Sequence, residues 1–265
     1  MRTRAITGFF FVIALVGAIL GGSYTFTLLF SLISLFSLLE FYKIIQKKHP
    51  ANIPIGIILG VGILSIYGLL SFEAENIYVL CLPFICIIAL FLGELYHKTN
   101  QAFIRIAFSI TGVIYTILPF ICFMQLGFLN TAFSPTIPLG FLILLWSNDT
   151  GAYLSGKFLG KHKLFERHSP NKTWEGFFGG ITLALISAYI LAQYASILPL
   201  HIWLISASII GVFGTYGDLI ESMLKRSYGI KDSGHILPGH GGLLDRFDGL
   251  LLAAPILYLF LKLVA

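Results

Sequence analysis

Charge is what this chain has least of. Lys, Arg, Asp and Glu make up 11% of its 265 residues, against 57% hydrophobic and 15% aromatic residues, and the mean hydropathy is +0.90. A surface so poor in charge excludes an ordinary soluble domain, so the solvent of this chain is mostly lipid. Cysteine is scarce as well. Cys81, Cys86 and Cys122 all fall in apolar stretches without metal-ligand spacing and read as buried small hydrophobes. An HExxH zinc pair, a Walker phosphate loop and a GxSxG nucleophile elbow are absent. So are low-complexity tracts and any repeat that would suggest the inverted halves of a transporter. These absences leave one all-α polytopic membrane domain over residues 1–265.

Nine stretches are apolar and long enough to cross a hydrocarbon core, about 18 to 23 residues each. They are residues 5–22, 24–42, 54–70, 77–93, 102–124, 137–159, 174–194, 202–220 and 247–264. Charge placement tests this count, because cytoplasmic loops collect Lys and Arg. With the amino terminus inside, 16 of the 17 basic residues lie on the inner side and only Lys262 lies outside. The outer loops at 21–23, 71–76, 127–136 and 195–201 carry no Lys or Arg, and one holds Glu73 and Glu75. A pI near 9.1 is accounted for by this orientation and by anionic head groups, so nucleic acid is set aside as a partner. Arg2 and Arg4 precede a long apolar run without a small-residue cleavage site, which predicts a retained helix. A short chain without a targeting presequence suggests a bacterial cytoplasmic membrane.

Chemistry divides the chain. Residues 1–135 carry few polar groups and read as scaffold, whereas from Trp146 onward charge enters the spans and crowds the inner loops. Glu40 and Glu94 are candidate exceptions with a functional role as the alternative, each at the inner end of an early helix; with Lys43 or Lys98 close by, interfacial ion pairs are the expectation.

Asp149 lies well inside its span, about 15 Å from the inner end at 1.5 Å per residue. A charge there needs water, a cation or a partner. Its neighbours Ser147, Asn148, Thr150 and Gly151 are capping and turn types, so a break in the helix around a wet cavity is expected. If helical, Asp149, Tyr153 and Lys157 share one face leading to the cytoplasm. Beyond the span, Thr173 can cap the next helix, Glu175 suits its positive end, and Lys172 adds a cation where backbone amides already favour an anion. Gly176 and Gly180 allow close helix packing.

The eighth span ends with Asp218, Glu221 or Ser222, and Lys225 on one face. KDSGHILPGHGGLLDRFDG follows, residues 231–249. Its Gly239, Gly241 and Gly242 permit close backbone approach to a ligand, and Pro238 fixes a turn. Asp245 and Asp248, with Asp218 from the preceding helix, could form an oxygen cage for Mg²⁺. His235 and His240 fit hydrogen bonding or phosphate contact better than ligation of a hard ion. Acids and cations gathered at one membrane face suit a reaction that joins two phosphate-bearing molecules. The nucleophile is already ionised, and the barrier is anion repulsion plus charge growing on the leaving group.

These segments resemble known ones. SMLKRSYGIKDSGHILPGHGGLLDRFD, residues 222–248, resembles the signature of the phosphatidate cytidylyltransferase (CDP-diacylglycerol synthase) family, and NDTGAYLSGKFLGKHKLFERHSPNKTWEGFFGG, residues 148–180, resembles that family's other polar block. The resemblance implies an integral membrane nucleotidyltransferase, commonly a homodimer. It condenses CTP with phosphatidic acid to CDP-diacylglycerol and pyrophosphate, with Mg²⁺ and often K⁺. It links the acids matching Asp218 and Asp245 to the cation centre, and Asp248 is expected to assist from its place beside them in the sequence. The candidate catalytic residues are then Lys225, Arg226, Lys231, Asp232, His240 and Arg246. Asn148, Asp149, Lys172, Thr173, Glu175, Ser222, Gly241 and Gly242 are the candidate substrate contacts. A CTP-dependent polyprenol or dolichol kinase and a secondary transporter are the alternatives. The first transfers the γ-phosphate; the second gives no reason for PGHGGLLDRFD or the basic loops.

Overall fold

The structure, a computed structural model, describes residues 2–72, 81–129, 132–234, 236 and 241–264. Among these residues run nine α-helices, one for each expected span: α1 (Arg2–Leu20), α2 (Ser23–Ile45), α3 (Ile53–Phe72), α4 (Cys81–Tyr96), α5 (Ala102–Gln125), α6 (Thr136–Leu159), α7 (Trp174–Tyr194), α8 (Leu200–Ser227) and α9 (Leu244–Val264). A 3₁₀ turn, Leu126–Phe128, extends α5. A two-stranded antiparallel hairpin, β1 (Lys163–Phe165) and β2 (Ser169–Thr173), joins α6 to α7. The hairpin is not evident in the sequence, whose strands are three and five residues of mainly polar type.

The segments Ser23–Ile45, Ala102–Phe128, Trp174–Tyr194, Leu200–Ser227 and Leu244–Val264 are long and apolar enough to cross a membrane. Side chains such as Phe9, Phe10, Leu95 and Phe103 stand exposed on the helices, as expected of a protein solvated by acyl chains. The molecule is an integral membrane protein.

Between helices in lipid there is no hydrophobic drive, so association rests on close packing and internal polar bonds. Both are present. An aromatic seam joins α2, α5, α6 and α9: Phe30 and Phe123 have ring centroids 4.8 Å apart, Phe123 and Phe141 5.2 Å, and Phe120 and Phe247 5.3 Å. Phe247 thereby anchors the first turns of α9, which carry the acids. At one end of α2–α5, the Tyr42 hydroxyl donates to the Ser109 carbonyl at 2.6 Å. Glu94 accepts from Asn52 Nδ2 at 2.6 Å and Arg105 Nε at 2.8 Å. Glu94 therefore serves α3 and α5, and its partner is Arg105 instead of the expected Lys98.

Two backbone-to-backbone contacts position the site. A Cβ added to Gly180 of α7 would lie 2.7 Å from Asn148 Oδ1 and 2.8 Å from the Asn148 carbonyl of α6. One added to Gly217 of α8 would lie 2.3 Å from the Asp248 carbonyl of α9. No other residue allows such approach, and it brings the polar faces of α6, α8 and α9 together.

Candidate active site

α6 runs unbroken through residues 147–151, which corrects the expected break. The wet cavity is there without it. A cavity of about 560 Å³ lies between α6, α7, α8 and the hairpin. Asp149, Tyr153 and Lys157 line it at helical spacing from α6. Lys172 and Thr173 face them from β2, and Asp218 from α8. The Asn148 Oδ1 is buried here without a hydrogen-bond partner. Thr173 caps α7, its Oγ1 accepting from Gly176 N at 3.1 Å. Lys172 Nζ bridges to Asp218 Oδ2 at 2.5 Å, tying the hairpin to α8.

Glu175 does not line this cavity. Its carboxylate accepts from the amides of Lys161 at 3.1 Å and His162 at 3.2 Å and meets His162 Nδ1 at 2.6 Å. It closes the loop between α6 and β1, so the chain has committed this acid to shaping the wall.

At the junction of α8 and α9 three carboxylates converge. Ligand oxygens of Asp218, Glu221 and Asp248 all lie within 4.8 Å of one another. Glu221 is wholly buried, and the Lys225 ammonium forms an ion pair with its Oε2. Ser222 Oγ donates to Asp218 Oδ1 at 3.3 Å, and Asp248 Oδ1 accepts from Gly249 N at 2.6 Å. Three crowded carboxylates, one of them wholly buried, form a hard oxygen set that fits a divalent cation such as Mg²⁺.

The expected cage of Asp218, Asp245 and Asp248 is thus regrouped. Glu221 joins Asp218 and Asp248, while the oxygens of Asp245 have other partners. Asp245 Oδ1 accepts from Lys225 Nζ at 2.6 Å, and Oδ2 accepts from Ser233 N at 2.9 Å and Gly242 N at 2.8 Å. The i, i+3 spacing of Asp245 and Asp248 does not decide the matter, because the loop folds its own amides onto Asp245. Gly241 makes that possible with φ +84°, a region that excludes most side chains, and a Cβ there would meet Asp245 Oδ2 at 2.6 Å.

Lys225 sits between Glu221 and Asp245 and links the two groups of acids. Arg226, Lys231, Asp232 and Arg246 are exposed around the loop, and none of them lines the cavity. Arg226 Nη1 donates to the Ile230 carbonyl at 3.3 Å. His240, like His235 and Pro238, lies outside the described residues.

A second hollow, about 390 Å³, opens on the other side of α8. Tyr115 and Pro119 of α5, Gly217 and Ile220 of α8, and Leu251 and Leu252 of α9 line it, almost wholly with apolar surface. The Tyr115 hydroxyl is buried there without a partner. Residues 217–221 of α8 are therefore a wall with a polar cavity on one side and an apolar groove on the other, and the acids at its end.

The sequence carrying this geometry has known relatives. It fits the cytidylyltransferase family over residues 2–264. The chain belongs to that family. A phosphatidate cytidylyltransferase of Bacillus subtilis strain 168 is 36% identical over 267 residues, covering 99% of this chain and 98% of that protein. The Staphylococcus aureus strain COL protein of the same name is 33% identical over 272 residues, covering 98% and 99%. A Staphylococcus epidermidis protein of that name reaches 42% over 166 residues, 62% of each chain. In this cytidylyltransferase, Glu221 is the member of the acid cluster that the sequence left level with Ser222. Its signal was present in the helical register of Asp218 and Lys225, but the choice between Glu221 and Ser222 needed the turn of α8 against α9.

Proposed function

We infer that this protein is a phosphatidate cytidylyltransferase of phospholipid biosynthesis, which condenses CTP and phosphatidic acid to CDP-diacylglycerol and pyrophosphate. A phosphate oxygen of the lipid attacks the α-phosphorus of CTP, the bond from that phosphorus to the bridging oxygen breaks, and pyrophosphate leaves with the electron pair. The observation that carries this reading is the wall of α8, residues 217–221. It sets three carboxylates between a polar cavity large enough for a nucleotide and a groove that suits an acyl chain.

Asp218, Glu221 and Asp248 would hold Mg²⁺, which when bound offsets the triphosphate charge and the charge on the departing pyrophosphate. Lys172 and Lys157 supply cations to the cavity wall from which phosphates approach. Asn148 offers an unpartnered carbonyl oxygen for a donor of the nucleotide. Lys225 and Asp245 hold the inner loop against the acids, and Gly241, Gly242 and the exposed Lys231, Asp232, Arg226 and Arg246 form the rim. His240, expected to shape the nucleotide loop, lies outside the described residues. The apolar groove seats a chain of the phosphatidate, with the Tyr115 hydroxyl toward its head group. Nine membrane spans with a cytoplasmic amino terminus and a cytoplasm-facing site complete the reading, supported by the charge bias of the loops. K⁺ dependence and a homodimer are part of it, open to a K⁺ titration and to light scattering in detergent.

The test uses purified protein in phosphatidate mixed micelles with CTP labelled at the α-phosphorus, with and without Mg²⁺. Label entering the lipid with stoichiometric, Mg²⁺-dependent pyrophosphate release is the expected outcome. Label appearing as CDP would replace the reading with a lipid kinase, and label staying in CTP would return it to a transporter.

A further inference from the structure

Glu40 lies in the half of the chain that reads mainly as scaffold, as one of its two candidate exceptions, with an ion pair to Lys43 expected. In the fold it turns inward. The side chain is buried, at 2% exposure, and its carboxylate meets the segment about 200 residues onward that carries the acids. Oε1 accepts from Leu243 N at 3.1 Å, and Oε2 accepts from Leu244 N at 2.9 Å and Ser233 Oγ at 3.1 Å. Leu244 is the first residue of α9, so these amides are among the donors that a helix start leaves without a partner. A carboxylate from another helix thus caps α9, where the helix dipole favours it.

The contact is specific. A Cβ at Gly234 would lie 2.3 Å from Glu40 Oε1, and one at Gly242 2.4 Å from Oε2, so the loop leaves space for this side chain and no more. The Ser233 hydroxyl, with one hydrogen to give, stands 3.1 Å from Glu40 Oε2 and 2.9 Å from Asp245 Oδ2 and couples the two acids. Asp245 in turn holds Lys225, which pairs with Glu221.

We propose that Glu40 is a positioning residue for the reaction: through the α9 amides and Ser233 it sets the height and rotation of the first turns of α9, and so brings Asp248 to Asp218 and Glu221. It touches no reacting atom. Its effect is on geometry, where misplacement of about 1 Å costs roughly 100-fold in rate.

Two variants attack the contact from opposite sides. Glu40→Gln keeps the shape but points an amide NH₂ at backbone donors, and Gly234→Ala pushes the carboxylate away without altering an acid. Each is purified in detergent, its folded fraction measured by size exclusion, and kcat, KM for CTP and Mn²⁺ binding by electron paramagnetic resonance are referred to folded protein. Both should lower kcat about 10- to 100-fold with KM for CTP within about threefold, and both should weaken Mn²⁺ binding at least about tenfold. Glu40→Asp, which keeps the charge on a shorter arm, should recover part of kcat. Wild-type kcat and Mn²⁺ affinity in folded Glu40→Gln and Gly234→Ala would overturn the proposal. Loss of folding in every variant would assign Glu40 to stability alone and overturn it equally. The inference takes its rate assay from the cytidylyltransferase reading, but Mn²⁺ binding is read without substrate, so failure of one is separable from failure of the other.

Discussion

Replacing Glu221 with Gln removes one charge from the acid cluster while keeping its shape, and the structure sets the size of the effect. Two ionised carboxylates with oxygens 4.8 Å apart, the largest separation in the cluster, repel by about 3.5 kcal/mol at an effective dielectric near 20. Glu221 faces two such neighbours, so its repulsion is about 7 kcal/mol, and contact with Lys225 returns roughly 5–6 kcal/mol of that. The remainder, on the order of 1–2 kcal/mol, disfavours the cluster until a cation enters. Lys225 keeps Asp245 at 2.6 Å in the variant and is not left alone. Glu221→Gln should therefore not lower the thermal midpoint in chelator, and should raise it by about 2–8 °C at roughly 2–4 °C per kcal/mol. The Mg²⁺ concentration for half-maximal cytidylyl transfer should rise at least about 100-fold, equivalent to about 2.8 kcal/mol. The assay is thermal unfolding in detergent with chelator or Mg²⁺, paired with label transfer across a Mg²⁺ series. A midpoint several degrees below wild type in chelator, together with unchanged Mg²⁺ dependence, would refute the reasoning and make Glu221 a packing residue.

Lys172→Met should lower kcat/KM for CTP by about 100-fold, as loss of a charge clamp does. It should leave the thermal midpoint nearly unchanged, because the Lys172–Asp218 pair is partly solvated, with side chains 24% and 37% exposed. A midpoint drop without a kinetic effect would reverse that assignment. Glu94→Ala removes the partner of Arg105 and Asn52 in a buried setting and should cost about 3 kcal/mol in thermal or denaturant unfolding, while kcat per folded molecule stays at the wild-type level. Gly180→Ala inserts a methyl 2.7 Å from Asn148 Oδ1. Overpacking of α6 on α7 should cost about 1–3 kcal/mol and raise KM for CTP, and a variant with wild-type stability and KM would show that the wall is not rigid there.

The helices were legible because each obeys a local rule. Apolar length defines a span whatever surrounds it, and all nine expected spans correspond to helices among the described residues. The Thr173 cap was equally local, since the acceptor and its amide are three residues apart. Asp149 could be singled out from depth alone, and the shared face of Asp149, Tyr153 and Lys157 from helical spacing. The β1–β2 hairpin was not legible, because its strands are short and polar and exist through pairing with each other.

The remaining errors share a cause. For Glu40 and Glu94 an ion pair with the nearest cation along the chain was the expectation, but buried carboxylates take whichever donors packing brings to them, here the Leu244 amide of α9 and the side chains of Asn52 and Arg105. The closeness of Glu221 to Asp218 and Asp248 likewise comes from packing, here of α8 on α9. Sequence by itself determined a membrane protein of apolar helices with its charged chemistry in residues 148–248, because hydropathy, capping and helical period act within a few residues. Only the tertiary structure decided which acids meet. That depends on a glycine contact between α8 and α9 and on a loop that folds its amides onto Asp245, both interactions between segments whose relative placement no local pattern specifies.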